Sequence, residues 1–246
     1  MRIAILGDIH GNLEAFQAVL SDLERGGDFD EILCLGDIVG YGPDPHKCIE
    51  LLRKYRHLCV AGNHDMAAIG KLDISEFNPH AAAAVVWSSR QLDDADIDYI
   101  ESIPLSLSQD SFTVVHGSPR DPIWEYLLAT RAACENLDYF STDHCLLGHS
   151  HIPIVFRCSQ SQGADCIAEP FNPGAPVDLS KGRLIINPGA VGQPRDADPR
   201  AGYALFDSNA GAISQFRVEY DIQSTQAKME RVGLPSPLIT RLSYGR

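Results

Sequence analysis

The sequence lacks an excess of basic residues, a close pair of cysteines and an apolar run of membrane length. Its 20 lysines and arginines, set against 33 aspartates and glutamates, give a formal net charge of −13. Long nucleic acids and anionic membranes bind basic surfaces, so neither is an expected partner. No stretch approaches the roughly 20 apolar residues of a transmembrane helix. Because the first motif begins close to Met1, at Asp8, we expect no signal peptide.

The seven cysteines are odd in number and scattered, with no Cys-x-x-Cys pair. This spacing argues against a zinc finger and against a thioredoxin-like redox centre. Several cysteines, such as Cys34 and Cys145, lie in apolar runs. We therefore expect small buried thiols and a cytoplasmic, reducing location.

No linker, repeat or low-complexity stretch divides the 246 residues. We expect a single domain over residues 1–246, with a polar tail from about Gln223 that the pattern does not assign. Apolar runs at residues 3–6, 32–35 and 58–61 alternate with helices at 13–23 and from Pro45 to about 55. This order predicts a largely parallel sheet flanked by helices.

The rest of the chain is predicted to be helical at first and rich in short strands in its last third. A third helix should run from Pro79 to about residue 92, and buried strands should follow at residues 112–115 and 146–147. Short strands separated by turn residues then follow. These last strands, at residues 154–157, 184–186, 203–206 and 213–219, predict an antiparallel second sheet.

Residues that bind metals recur where apolar runs meet glycine. They lie in five motifs: Gly7-Asp8-Ile9-His10-Gly11-Asn12, Gly36-Asp37, Gly62-Asn63-His64-Asp65, His116-Gly117 and Gly148-His149-Ser150-His151. With Asp8, Asp37, Asn63 and their five histidines, the motifs supply two carboxylates, one amide and five imidazoles, which is the donor set of a two-metal hydrolytic site. Mixed nitrogen and oxygen donors suit Mn, Fe or Zn better than Ca or Mg.

The donor set also favours a phosphate substrate. Two divalent ions outweigh the charges of Asp8 and Asp37, so the site would attract an anion despite the acidic chain. A metal pair can hold the attacking and leaving oxygens of an in-line displacement and can activate a bridging water. His64, beside Asn63, is placed to protonate the leaving group.

In order and spacing, these motifs resemble those of the calcineurin-like metallophosphoesterase superfamily, over about residues 3–195. The run Asn187-Pro188-Gly189-Ala190-Val191 matches a further turn of its small bacterial and archaeal members. The resemblance implies an α/β fold, a four-layer αββα sandwich in which helices flank two mixed β-sheets. It assigns one metal ion to Asp8, His10, Asp37 and His151. It assigns the other to Asp37, Asn63, His116 and His149, and the general acid to His64.

Two departures from the superfamily pattern narrow the function. Its Ser/Thr phosphatases and symmetrical diadenosine tetraphosphatases carry Val-Asp-Arg-Gly after the second Gly-Asp, and arginine before Gly-Asn-His-Glu. Here Ile38-Val39-Gly40-Tyr41 and Ala61 stand in those places. A dianionic monoester gains most from arginine clamps. Their loss favours phosphodiesters, and the chain most resembles the small phosphodiesterase branch.

Several further residues are candidates for substrate contact. Arg195 and Arg200 could replace the missing clamp, although a solvated loop of Asp–Arg pairs is the alternative. Asn12 could contact phosphate, but it also stands where a helix N-cap belongs. Tyr41 and the segment Trp124-Glu125-Tyr126 follow motif loops and could form pocket walls, with core or lid packing as the alternative for the tryptophan.

We therefore expect a dinuclear metal-dependent phosphodiesterase that hydrolyses small or nucleotide-like phosphodiesters by attack of a metal-bridged hydroxide, with His64 as general acid. A phosphomonoesterase or a dinucleoside polyphosphate hydrolase is the alternative within the same class. A non-catalytic scaffold on the same fold is the alternative of another class, and the complete set of motif residues disfavours it. Cleavage of short oligonucleotides and assembly into a homo-oligomer are left open.

Overall fold

A computed structural model describes residues 1–159 and 165–246, within which twelve strands form two six-stranded sheets. In spatial order, the first sheet contains β3 (His57–Cys59), β2 (Glu31–Cys34), β1 (Arg2–Leu6), β11 (Ala201–Asp207), β12 (Ala212–Val218) and β9 (Val177–Asp178). The second contains β4 (Ser106–Gln109), β5 (Phe112–Val115), β6 (His144–Leu146), β10 (Arg183–Asn187), β7 (Ile154–Cys158) and β8 (Cys166–Pro170).

Eight α-helices lie in the described residues. They are α1 (Leu13–Arg25), α2 (Pro45–Leu52), α3 (Asn63–Ala68), α4 (Pro79–Ser89), α5 (Asp94–Ser102), α6 (Thr130–Asn136), α7 (Ile222–Arg231) and α8 (Ser236–Thr240). Pro45 and Pro79 occupy first helical positions as expected, although both helices end about three residues earlier than the pattern predicts. None of these helices combines the length and apolarity needed to cross a membrane.

The two sheets pack face to face around the central core, where Ile5 and Leu33 of the first sheet lie in one cluster with Phe112, Leu146 and Ile186 of the second. Burial of each such side chain contributes roughly 1.5–3 kcal/mol. Helix α1 covers the outer face of the first sheet and α6 that of the second. The expected sandwich of two mixed β-sheets flanked by helices is confirmed.

The last third does not form a separate antiparallel sheet, so that part of the prediction is wrong. Strand β11 pairs antiparallel with β1, with Ile3 opposite Phe206, and extends the first sheet. Strand β10 instead joins the second sheet, parallel to β6 and antiparallel to β7. Alternating patterns identify strands, but pairing partners distant in sequence decide which sheet each strand joins.

The expectation of buried thiols is wrong for one pair of cysteines. Cys158 and Cys166 lie opposite each other on β7 and β8 and form a disulfide. The Cys-x-x-Cys rule cannot detect this pair, because hairpin register rather than close spacing brings the two residues together. Four other cysteines are buried thiols, as expected: Cys34, Cys48, Cys59 and Cys145.

The tail that the sequence pattern left unassigned folds into α7, α8 and the 3-10 turn Arg241–Tyr244. Met229, Leu238 and Leu242 pack in one cluster with Tyr41 and with Ala84 of α4. The tail therefore lies against the loop that follows β2, close to the site described next.

Candidate metal centre

The motif residues meet at the carboxyl ends of the parallel strands of both sheets. Strands β1, β2 and β3 lead into the first three motifs, and β5 and β6 lead into the other two. We call the converging side chains the ligand rim. All are buried, with at most 3% of their surface exposed: Asp8, His10, Asp37, Asn63, His116, His149 and His151.

The first half of the ligand rim brings two imidazoles against two carboxylates. Nε2 of His10 lies 3.1 Å from Nε2 of His151 and 3.5 Å from Oδ2 of Asp37. Nε2 of His151 lies 3.3 Å from Oδ1 of Asp8. Oδ2 of Asp8 is buried and has no hydrogen-bond partner among the described residues. This donor set can surround one cation.

The second half shares the same aspartate oxygen, Oδ2 of Asp37. Nε2 of His116 lies 3.3 Å from Oδ2 of Asp37, and 3.1 Å from both Oδ1 of Asn63 and Nδ1 of His149. Oδ2 of Asp37 is therefore close to both groups of donors, where a bridging carboxylate would lie. Oδ1 of Asp37 accepts the backbone N–H of His64 at 2.9 Å, which holds the carboxylate in place.

Backbone carbonyls fix the orientation of all four imidazoles. The outward nitrogens of His10, His116, His149 and His151 lie 3.0, 2.9, 3.2 and 2.5 Å from the carbonyl oxygens of Val39, Leu35, Trp124 and Gln193. The outward nitrogen then carries the proton, and the inward nitrogen carries a lone pair. Two inward lone pairs at 3.1 Å repel each other unless a cation lies between them. The rim thus fits divalent transition-metal ions, which bind such donors at about 2.0–2.2 Å.

The backbone of the ligand rim is held in an uncommon conformation. Five of its residues have left-handed φ values, namely Asp8 at 55°, His10 at 51°, Asp37 at 54°, His149 at 64° and His151 at 60°. Such values cost of order 1–3 kcal/mol for non-glycine residues and concentrate at functional sites. The fold thus tolerates a loss of stability at these residues, whose side chains point into the centre.

Two glycines allow the close approaches that the centre requires. A Cβ at Gly62 would lie 2.0 Å from Oδ1 of Asp37. A Cβ at Gly40, whose φ is +111°, would lie 2.4 Å from Nδ1 of His64. Only glycine leaves room for these side chains.

Burial and mutual charge perturb the acids and bases of the rim strongly. Burial raises the pKa of Asp8 to about 7, with the charge of His116 acting against it. Burial would also raise the pKa of Asp37, yet the neighbouring imidazoles, His116 first, hold that pKa below its usual range. Burial lowers the pKa of His116, but Asp37 outweighs it and brings the value to about 9, so an ion that binds the inward nitrogen would displace a proton from this ring. Such shifts are typical of functional sites.

His64 lies beside the rim and lines the adjoining pocket. Its ring centroid is 4.7 Å from that of His10, 4.4 Å from that of Tyr41 and 5.0 Å from that of Phe77. Nδ1 of His64 is buried without a hydrogen-bond partner among the described residues. Burial lowers the pKa of His64 to about 4, with Asp37 opposing that shift. A bound phosphate anion would offset this lowering, raise the pKa of His64 and favour the protonated ring.

A cavity of about 130 Å³ opens onto the rim and has aromatic walls. Tyr41, Phe77, Trp124 and Tyr126 all line it. The Phe77 and Trp124 rings lie 5.1 Å apart, and Tyr126 stacks on His149 at 3.9 Å. Trp124 therefore serves as both packing and pocket wall. Phe77 lies outside the five motifs, so the sequence pattern does not predict its place in the pocket.

Arg195 contributes a guanidinium cation to this pocket. Its Nη2 donates to the hydroxyl of Tyr41 at 3.3 Å and to Oε1 of Gln193 at 3.1 Å, and its Nε is buried without a partner. The backbone N–H of Arg195 donates to the carbonyl of His151 at 3.3 Å. This bond ties the loop of Arg195 directly to the ligand rim.

Two other candidates for substrate contact lie elsewhere. Asn12 caps α1, since its Oδ1 accepts the Ala15 N–H at 3.1 Å, and its Nδ2 donates to the Gly192 carbonyl at 2.8 Å. Arg200 forms an exposed ion pair with Asp198. Neither residue lines the pocket. The structure therefore shows the helix-capping role for Asn12 and the Asp–Arg pair for Arg200, the two alternatives to substrate contact at these positions.

Comparison with known proteins agrees with this site. The profile of the calcineurin-like phosphoesterase superfamily domain matches residues 1–211. A metallophosphoesterase structure from Sphaerobacter thermophilus has a TM-score of 0.89 and 47% identity, covering 100% of this chain and 99% of that one. An uncharacterized protein of Methanocaldococcus jannaschii is 38% identical, over 99% of this chain and 98% of its own length.

A symmetrical bis(5'-nucleosyl)-tetraphosphatase of Glaesserella parasuis is 27% identical over 139 residues, which are 54% of this chain and 50% of that enzyme. This match is confined to about half of each protein, whereas the superfamily profile and the two longer matches span most or all of the chain. The resemblance carried by the five motifs is thereby confirmed, and the chain belongs to the calcineurin-like phosphoesterase superfamily.

Proposed function

We propose that this chain is a phosphoesterase that depends on two divalent transition-metal ions and acts on small or nucleotide-like phosphodiesters. The observation that carries the proposal is the ligand rim, whose inward nitrogens approach one another at 3.1 Å with their outward nitrogens bonded to carbonyls. Asp8, His10, Asp37 and His151 would hold one ion, and Asp37, Asn63, His116 and His149 the other. When bound, Mn, Fe or Zn ions would supply an activated water and charge stabilisation at phosphorus.

The residues around the rim would bind and orient the phosphoester. Arg195 is a cation in the pocket, and no carboxylate pairs with it among the described residues. Its guanidinium can donate to the non-bridging oxygens of the reacting phosphate. The aromatic walls formed by Tyr41, Phe77, Trp124 and Tyr126 suit planar groups such as bases or aryl esters.

His64 would hold the proton that the leaving oxygen needs. Its ring packs between His10 and Phe77, and its backbone N–H is bonded to Asp37. A ring held so close to the metal ligands can reach an oxygen that departs from the phosphate. General acids of this kind typically accelerate reactions by about 10²–10⁴-fold.

A dinucleoside polyphosphate hydrolase is the second candidate. The half-length similarity to the tetraphosphatase of Glaesserella parasuis favours it, as does an arginine in the pocket. The absence of both expected superfamily arginines, with Tyr41 and Ala61 near their places, favours the diester.

The test compares bis(p-nitrophenyl) phosphate, p-nitrophenyl phosphate and diadenosine tetraphosphate, using protein purified without chelator and supplied with Mn²⁺. We expect the diester to be hydrolysed fastest. Arg195→Gln should lower kcat/KM by about 10–100-fold, whereas the matched variant Arg200→Gln should match the parent. Faster hydrolysis of p-nitrophenyl phosphate would support a phosphomonoesterase, and faster hydrolysis of diadenosine tetraphosphate would support a dinucleoside polyphosphate hydrolase. If the metallated protein hydrolyses none of the three, the non-catalytic scaffold is supported.

A further inference from the structure

The segment that carries two of the pocket walls contains neither helix nor strand. We call residues 118–126 the wall segment; it follows His116 and includes Trp124 and Tyr126. The carbonyl oxygen of Trp124 lies 3.2 Å from Nε2 of His149. The ring of Tyr126 stacks on the same imidazole, with the centroids 3.9 Å apart. The position of this segment therefore determines the orientation of one rim histidine.

Side-chain hydrogen bonds of the wall segment converge on Glu125. Its carboxylate accepts the hydroxyl of Ser118, the guanidinium of Arg120 and, at 3.0 Å, Nδ2 of Asn136 in α6. Ser118 and Asn136 are fully buried, so their bonds to the carboxylate are stronger than they would be in water. Glu125 thereby ties both ends of the segment to each other and to the helix that covers the second sheet.

The same hydrogen bonds keep Glu125 charged. Burial alone would raise the pKa of Glu125, but the bonds from Arg120, Ser118 and Asn136 outweigh it and hold that pKa below its usual value. An amide of the same shape would lose the charge-assisted bonds, which are roughly twice as strong as neutral ones. The wall segment therefore depends on the charge of this side chain as well as on its shape.

Glu125 acts on the centre only through its neighbours in the chain. Trp124 and Tyr126 line the cavity on the two sides of Glu125, which is not itself among the lining residues. Its hydrogen-bond partners in the described part of the chain lie outside the ligand rim. We infer that Glu125 is a positioning residue, which holds the wall segment so that His149 is oriented to bind an ion and the aromatic walls are placed to receive the substrate. The inference rests on the proposed function and deepens it.

The two ions should differ in their dependence on Glu125. Without the carboxylate, His149 would lose its fixed carbonyl and the ring that stacks on it. Affinity for the ion that His149 binds should then fall by about 10–100-fold, as is usual for groups behind a metal ligand. The other ion should keep its affinity, because its two imidazoles are held by carbonyls outside the wall segment.

The test titrates the metal-free full chain with Mn²⁺ by calorimetry and resolves two dissociation constants. Glu125→Ala should weaken one Mn²⁺ ion by about 10–100-fold and leave the other at its parental affinity. Glu125→Gln should show a smaller loss at the same ion, and it carries the test if the alanine variant does not fold. Glu135→Gln is the matched control, because this exposed carboxylate pairs with the same Arg120 but lies on α6, outside the wall segment. Both constants should be parental in that control.

Kinetics separates positioning from a general loss of stability. At saturating Mn²⁺, the kcat of Glu125→Gln on bis(p-nitrophenyl) phosphate should return to near the parental value, because mass action refills the weakened site. The KM for this aryl diester should stay raised by about 2–10-fold, the loss expected for one aromatic contact, because added metal does not restore the walls.

Three outcomes would overturn the inference. If both Glu125 variants bind both ions as the parent does, His149 does not depend on the wall segment. If both ions are weakened equally and the melting temperature falls, Glu125 only stabilises the fold. If Glu135→Gln shows the same selective loss, the placement of Arg120 and not the Glu125 carboxylate is responsible.

Failure of the proposed function would look different. A parent that binds two Mn²⁺ ions but does not hydrolyse phosphodiesters would contradict the proposed function, while the metal affinities of the Glu125 variants would still decide whether this residue positions His149. A parent that binds fewer than two ions would contradict both.

Discussion

The ligand rim and the C-terminal tail both pack against Tyr41, which lines the pocket, but they are built in opposite ways. The rim takes its residues from loops that directly follow strands, fixes each imidazole with a carbonyl, and accepts five left-handed residues. The tail has no motif and packs on Tyr41 through apolar side chains such as Met229 and Leu238. The comparison suggests that local backbone geometry determines the chemistry of this site, while packing between distant segments shapes what the site admits.

The largest expected effect follows from Asp37→Asn in the rim. The amide loses the charge that both ions would share, so hydrolysis should fall by more than the roughly 10–100-fold typical of residues behind a metal ligand. Steady-state rates at saturating Mn²⁺ measure this loss. Asp94→Asn at the start of α5, outside the site, is the matched control. If Asp37→Asn kept the parental activity, the rim would not determine the chemistry of the site, and the contrast with the tail would fail.

The next effect should come from His64→Ala. This variant should keep the metals and lose about 10²–10⁴-fold in turnover. The loss should shrink for esters whose leaving groups are already acidic, because those need no proton. A series of aryl diesters measures this dependence, and a loss of constant size along the series would argue against proton transfer by His64.

Gly40→Ala tests whether the backbone around the rim is as constrained as the structure shows. Its new Cβ would collide with His64 at 2.4 Å, whereas Gly70, at a φ of +75°, has no atom within 4 Å of the corresponding position. Gly70→Ala is the matched control, because both substitutions place alanine at a positive φ and carry backbone strain of about 1–3 kcal/mol. We expect Gly40→Ala alone to lower turnover, by about tenfold or more. Equal turnover in the two variants would contradict this account of the glycine.

The smallest effect on chemistry should follow from Leu238→Ala in the tail. Leu238 is 3% exposed, so its truncation should lower the free energy of unfolding by about 2–5 kcal/mol. Metal content and turnover on bis(p-nitrophenyl) phosphate should remain near parental values below the melting temperature. Denaturant titration measures the free energy of unfolding, and elemental analysis measures the metal content. Loss of metal from a folded Leu238→Ala protein would show that the rim depends on the packing of the tail.

The same contrast explains what the sequence could predict. The motifs at Asp8, Asp37 and His149 identify residues at strand ends, so the structure brings together the side chains that these motifs nominate. Phe77 and the Cys158–Cys166 disulfide carry no motif. Their positions depend on tail packing and hairpin register, which are set by contacts between segments far apart in sequence. The sheet assignment of β11 was missed for the same reason.

The central claim is that the ligand rim holds two metal ions used in phosphoester hydrolysis. Elemental analysis of the chelator-free protein, before and after Asp37→Asn, tests it most directly. We predict two transition-metal ions per chain in the parent and a clear loss in the variant, alongside the loss of diester hydrolysis. Full occupancy by two ions in an active Asp37→Asn protein, or activity in a parent stripped of metal, would contradict the account.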